Sequence, residues 1–196
     1  MRLSKSEIKE LIISFFPNLK EKEVDIFLSI TEYYSAKNKE IILKSEKTDK
    51  NVILILKGVA RAFLIDIEGN DITHFIRAKG RLIGDANVFG NEIQRLSIES
   101  IGEIHYLKFD ISKLEELGYD NPELMRFYVG FLKEIILTLS YRLHSFVAMT
   151  SEERYLDLIK WNPTLIENAF DKHIASFLGI TPLTIHRIKK KQKVIK

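Results

Sequence analysis

The side chains best suited to chemistry sit together near the end of the chain. Residues 181–191 read TPLTIHRIKKK, so Thr181, Thr184, His186, Arg187, Lys189, Lys190 and Lys191 share one short segment. With no carboxylate among them, this is a set for recognising anions rather than for breaking bonds. A guanidinium in a DNA major groove can donate two hydrogen bonds to guanine O6 and N7, worth about 1–3 kcal/mol of discrimination. Lysines neutralise backbone phosphates without reading sequence, and a threonine hydroxyl can bond a phosphate. Leu183 could touch a thymine methyl, and His186 either contacts DNA or is simply exposed.

Such a segment reads DNA only if the chain holds it rigidly and presents one face. From Lys172 to Leu178, apolar residues Ile174, Ala175 and Leu178 are spaced for one face of a short helix. Gly179 follows as a turn residue, and Pro182 suits the first position of a second helix, where a missing N–H costs nothing. Ile185 and Ile188 form the buried stripe of that second helix, and Ala175 lets the two helices approach closely. This is a helix-turn-helix pattern, whose second helix enters the major groove. The alternative is a helical tail whose charges are merely solvated. Charge distribution separates the two: residues 172–196 hold seven Lys/Arg and no Asp or Glu, whereas the other 171 residues hold 23 basic and 27 acidic side chains. One basic tip on an otherwise mildly acidic chain implies a phosphate-facing end.

Other chemistries find little support. The histidines at 74, 105, 144, 173 and 186 lack the i, i+4 pairing of a helical zinc site. The chain has no cysteine, which excludes disulfides, thiolate zinc sites and cysteine-ligated iron–sulfur clusters. The carboxylate pairs Glu115-Glu116 and Glu152-Glu153 read as solvated helix faces. His144 could ligate haem in principle, but a lone histidine has a structural reading. No phosphate-cradling glycine loop or nucleophile elbow is present, and we expect no enzyme, no metal and no resident cofactor. No apolar run approaches the roughly 20 residues of a membrane span, and the N-terminus MRLSKSEIKE carries no secretory signal. A cytoplasmic protein is expected.

Upstream, Ser4 and Glu7 have capping-box spacing before the periodic residues Ile8, Leu11, Ile12 and Phe15. A second helix is expected from about Lys20 to Ile30. Between about Lys39 and Phe109, short β-branched runs alternate with turn signals: EIIL, NVILIL, VARAFLIDI, DITHFI, RLIGD, QRLSIESI and EIHYLKF. These predict a small barrel or sandwich, with a hairpin turn at Glu68-Gly69-Asn70. Residues 122–149 predict one long helix. Met125, Val129, Leu132, Ile136, Leu139, Leu143 and Phe146 alternate by four and three along it, a heptad seam suited to a partner helix. The choice lies between a dimer and a helix buried in a monomer; a helix-turn-helix reader usually works as a pair. Ser151-Glu152-Glu153 is expected to cap a further helix to about Trp161, which Pro163 breaks.

This order of elements resembles the Crp/Fnr family of bacterial transcription regulators, over nearly the whole chain. LILKGVARAFLIDIEGNDIT (54–73) is similar to that family's strand–glycine–strand–hairpin segment, SEERYLDLI (151–159) to the opening of its DNA-binding domain, and IASFLGITPLTIHRI (174–188) to its helix-turn-helix. The resemblance implies an α+β chain: N-terminal helices and an antiparallel β-roll of jelly-roll type (1–120), a dimerisation helix (121–149) and a C-terminal all-α helix-turn-helix domain (150–196). It implies a homodimer on double-stranded DNA, away from membranes, with RNA polymerase as a further candidate partner. Thr181, Thr184 and Arg187 fall on the family's recognition positions. Pro182 and Leu183 replace its common Arg and Glu, so the target should differ from the familiar sites. Few residues follow the recognition helix, and no wing hairpin is expected.

The family's ligand cassette is matched in part by residues 84–97. Gly84 keeps the cassette glycine, and Asp85 stands for the ribose-binding glutamate. Arg95 stands for the phosphate-binding arginine, Leu96 replaces the phosphate-binding serine, and Ser97 follows. Thr138 falls where the family contacts the base, beside the apolar Leu139. Arg95 and Asp85 could equally be surface residues. Cyclic AMP, another small anionic effector and an empty roll all stay open. The competing functional reading is a signalling module whose roll binds a small ligand and whose basic tip docks an acidic protein.

Overall fold

The computed structural model describes residues 2–44, 50–84, 96–161, 163, 166 and 169–194. The chain opens with α1 (Lys5–Phe15) and α2 (Glu21–Ser29). The expected capping box starts α1: Ser4 Oγ accepts the Glu7 N–H at 3.2 Å, and Glu7 Oε2 accepts the Ser4 N–H at 2.8 Å. The buried faces of both helices join one core with strand and long-helix residues. At its centre the fully buried Phe27 meets Phe109 and Phe127 edge-on, at centroid distances of 5.1 and 5.3 Å. Burying each such ring contributes roughly 1.5–3 kcal/mol.

Among the described residues six strands follow: β1 (Glu32–Ala36), β2 (Ile41–Leu43), β3 (Asn51–Ile65), β4 (Asp71–Ala78), β5 (Leu82–Ile83) and β6 (Ser97–Asp110). All pair antiparallel in the order β1-β6-β3-β4, with β2 on β6 and β5 on β3. Four of the short runs in the sequence are therefore two long strands. In β3 the interruption that looks like a turn is Gly58. Its φ is +90°, and a Cβ there would lie 2.4 Å from Glu103 O. The β3–β6 register shifts on both sides of Lys57, so the pair bulges there instead of ending. The hairpin at 68–70 forms as expected. Asp66 organises it, with Oδ1 accepting the N–H groups of Glu68 and Asn70. The sheet is consistent with a roll, with Ile53, Ile55, Ala60, Ala62, Ile98 and Ile104 as its own core.

Two elements lie outside the expectation. β1 precedes the expected β region, because EYYSA carries no alternation of apolar and polar residues. α3 (Ile111–Asp120) follows β6 directly, and Asp110 caps it by accepting the Ser112 N–H at 2.8 Å. The long helix is α4 (Pro122–Ala148), followed by α5 (Ser151–Trp161), α6 (Asp171–Leu178) and α7 (Pro182–Val194). The cap of α5 is Thr150, not Ser151. Thr150 Oγ1 accepts the Glu153 N–H at 3.3 Å, and Glu153 Oε2 accepts the Thr150 N–H at 2.8 Å.

Candidate nucleic-acid interface

The segment from Asp171 to Val194 is two helices joined by a glycine turn. Gly179 ends α6 in the left-handed conformation, φ 64° and ψ 39°. The Ile180 N–H then reaches back to Ala175 O at 3.0 Å, which closes the C-terminal turn. Thr181 starts α7 as its cap: its Oγ1 accepts the Thr184 N–H at 3.1 Å and lies 2.9 Å from the Thr184 hydroxyl. Pro182 occupies the first helical position. Ile185 and Ile188 are buried against Ile174, Ala175, Tyr155 and Leu158. Sequence order and apolar stripe agree here because each local signal, from glycine cap to proline start, favours the same geometry.

The opposite face of α7 carries Leu183, His186, Arg187 and Lys190, all exposed. Thr181 and Thr184 are engaged in the cap. Two lysines have carboxylate partners: Lys189 Nζ lies 2.6 and 2.8 Å from the Asp171 oxygens, and Lys191 Nζ lies 2.8 Å from Glu152 Oε2. The basic tip is thus partly neutralised by acids from α5 and from the first residue of α6. Exposed pairs of this kind contribute about 0–1 kcal/mol, so a phosphate could displace either carboxylate at small cost.

The helix pair is fixed to the rest of the chain by groups that sequence reasoning did not single out. Ser176 Oγ accepts the Thr73 N–H at 2.8 Å and donates to Asp71 O at 3.2 Å, laying α6 along β4. Two arginines satisfy carbonyls left open at the α6 C-terminus. Arg142 of α4 bonds Phe177 O at 3.3 Å and also His74 O; Arg154 of α5 bonds Leu178 O at 3.1 Å. Both guanidiniums lie beside the Phe146 ring, at 5.5 and 5.1 Å from its centroid. Phe146 in turn packs under Gly179, where a Cβ would come 2.8 Å from its ring. Val59, Ile76 and Ile101 of the sheet share one apolar cluster with α5, α6 and α7.

Beneath α6 lies an ionic network. Arg61, 2% exposed, bonds Glu99 Oε1 at 2.6 Å, Asp71 Oδ1 at 2.5 Å and Thr73 Oγ1 at 2.9 Å. Burial alone would lower the Arg61 pKa, but the hydrogen bonds to Asp71 and Glu99 outweigh it and raise it. Asp71 likewise stays below the usual carboxylate range, because Arg61 overcomes the cost of its burial. His173 on α6 is 5% exposed, and burial, reinforced by Arg61 and Lys172, pushes its pKa down to about 4 against the pull of Asp71.

Along α4, the residues of the heptad seam divide. Ile136, Leu139 and Leu143 are exposed, and Val129 and Leu132 are half-buried. Met125 packs on Gly118 of α3, and Phe146, 44% exposed, faces Gly179. Leu137 and Val147, outside the seam, are 69% and 79% exposed and extend the apolar surface. In the region expected to hold a ligand, Asp85 and Arg95 lie outside the described residues. Gly84 backs onto β3, where a Cβ would come 2.8 Å from Val52 Cγ2. Leu96 is buried in the sheet core, Ser97 opens β6, and the buried Thr138 accepts a hydrogen bond from Arg77 Nη2 at 3.1 Å. Among the described residues no group of three or more His, Asp or Glu could hold a metal ion, and no helix is long and apolar enough to cross a membrane.

No protein-family model matches the sequence, and no curated protein matches it. Solved structures do match the fold. FixK2 from Bradyrhizobium japonicum superposes with a TM-score of 0.70 at 14% identity, covering 84% of this chain and 85% of that one. A CooA mutant from Carboxydothermus hydrogenoformans gives 0.72 at 17% identity, covering 99% and 87%. The c-di-GMP-responsive global regulator CLP of Xanthomonas campestris gives 0.69 at 11% identity, covering 89% and 92%. At these identities the likeness establishes shared architecture alone.

Proposed function

We propose that this chain is a homodimeric, sequence-specific DNA-binding transcription regulator of the Crp/Fnr type. The observation that carries the reading is the exposed face of α7. It presents Leu183, His186, Arg187 and Lys190 on a helix whose other side is anchored by Ile185 and Ile188. Arg187 is the base reader, aided by Leu183 and His186. Lys189, Lys190 and Lys191 contact phosphates, the first and last after releasing Asp171 and Glu152. Thr181 acts through the cap that sets the angle of the helix. In this reading residues 1–120 are a sensory or formerly sensory domain, 121–149 the dimer helix and 150–196 the DNA-binding domain.

The exposed side of α4 supports the dimer in this reading. Ile136, Leu137, Leu139, Leu143 and Val147 are exposed apolar side chains of α4, and a second copy of the helix covers them with matching residues. The similarity in fold to FixK2, CooA and CLP supports a regulatory role, and RNA polymerase is a further partner consistent with it. An effector would act by changing the spacing of the two recognition helices, which must sit about 34 Å apart to enter successive major grooves.

Arg187→Ala and Lys190→Ala test the assignment on any preferred DNA site. The first should relax discrimination at one base pair by about 1–3 kcal/mol. The second should weaken all sequences alike and reduce the salt slope by about one. Equal effects of both on DNA and on an unrelated polyanion would instead favour a basic tip that docks acidic proteins.

A further inference from the structure

Two arginines in neighbouring strands have opposite surroundings. Arg61 of β3 has two carboxylates within bonding distance. Arg77 of β4 has a side chain only 9% exposed, yet its Nε lies 3.7 Å from Glu134 Oε1, its sole acidic neighbour among the described ion pairs. Its hydrogen bonds go to neutral oxygens, Thr138 Oγ1 at 3.1 Å and Ile76 O at 3.4 Å. Glu134 is divided further, since Arg81 Nη1 lies 3.4 Å from its other oxygen. Burial lowers the Arg77 pKa; Glu134 opposes this only in part, and Arg81 adds to it. A desolvated guanidinium so weakly compensated is stabilised by any anion that can reach it.

There is room for one. Arg77 lines a cleft of about 690 Å³ between the β4–β5 turn and α4, together with Lys79, Arg81, Lys133, Glu134 and Thr138. Four cationic side chains face one carboxylate. The volume falls within the range of small-molecule sites, roughly 300–1,000 Å³. Three positive charges in excess match a doubly or triply charged phosphate better than a single carboxylate, and the guanidinium and hydroxyl suit phosphate oxygens.

We propose that this cleft is a binding site for a small phosphorylated molecule, its phosphate held by Arg77, Arg81 and Lys133 with Thr138 beside it. None of these residues lies in the cassette-like segment 84–97, and only Thr138, on α4, is among the ligand candidates read from the sequence. The site also has a route to the DNA-facing helices. Arg142 lies one turn beyond Thr138 on α4, carries carbonyls of both β4 and α6, and is itself destabilised as a cation by burial and by Arg77. An anion on Arg77 removes that repulsion and strengthens the Arg142 grip on α6. This goes beyond the DNA-binding reading, and because no DNA enters the test below, failure of one does not imply failure of the other.

The test is calorimetric titration of the full chain with sodium pyrophosphate, against sodium chloride at matched ionic strength. Saturable binding is expected for pyrophosphate alone, at least tenfold weaker in Arg77→Met and in the double variant Arg81→Ser/Lys133→Ser. The second variant alters exposed side chains and guards against a folding defect in the first. The same heats with chloride, or full affinity in both variants, would overturn the proposal. So would a loss confined to Arg95→Ala with Arg77→Met unaffected, which would place the ion on the cassette-like segment.

Discussion

Acidification should loosen the C-terminal helices from the sheet through His173. In the folded chain its pKa is about 4, against 6.5 for an ordinary histidine, because burial, Arg61, Lys172 and Lys39 together outweigh Asp71. The folded state therefore binds fewer protons than the unfolded state between these values. Stability from the neutral ring is complete above pH 6.5, declines as pH falls towards 4, and loses nothing more below that. At full effect the difference is worth about 3 kcal/mol, of which about 2.5 kcal/mol is gone by pH 4.5. Asp71, whose pKa is depressed, also loses its stabilisation on acidification, but only below the usual carboxylate range, so it leaves this window intact. Urea unfolding of the wild type and of His173→Gln at pH 7.5 and 4.5 isolates the contribution, since the other histidines are common to both chains. The wild type should lose about 2–3 kcal/mol more than the variant. Equal losses would refute the claim that His173 is held neutral by its place on the buried face of α6.

Two further substitutions probe the supports of the interface. Gly179→Ala should destabilise the chain by about 1–2 kcal/mol, from the left-handed backbone and from the approach of the new Cβ to Phe146 Cε1 at 2.8 Å; a thermal melt reads this directly. Leu143→Glu, at an exposed position of α4, should convert the proposed dimer to a monomer in sedimentation while leaving the circular dichroism spectrum unchanged.

The C-terminal unit was legible because its signals are local. A glycine, a proline and two isoleucines specify the turn and both helix faces. The sheet was legible as a class but not in its strand count, since Gly58 reads as a turn residue and serves as a bulge inside β3. What escaped the sequence was long-range compensation. Arg61, Arg142 and Arg154 look like surface arginines until Asp71, Glu99 and the α6 carbonyls are brought to them by the fold. The same applies to the tip, where Asp171 and Glu152 reduce a charge that appears uncompensated along the chain. On α4 a heptad pattern marks apolar faces without saying which neighbour takes each residue: Met125 packs on Gly118 and Phe146 beside Gly179, while Leu137 and Val147 stay exposed.

The most direct measurement of the central claim is selection of bound sequences from a random DNA pool by the purified chain near physiological salt. It should be run without ligand and again with cyclic AMP or pyrophosphate. A two-fold-symmetric site is expected, with half-sites one DNA turn apart and one base preference abolished by Arg187→Ala. If no sequence is enriched under any of these conditions, and binding tracks salt alone, α7 is not a sequence reader.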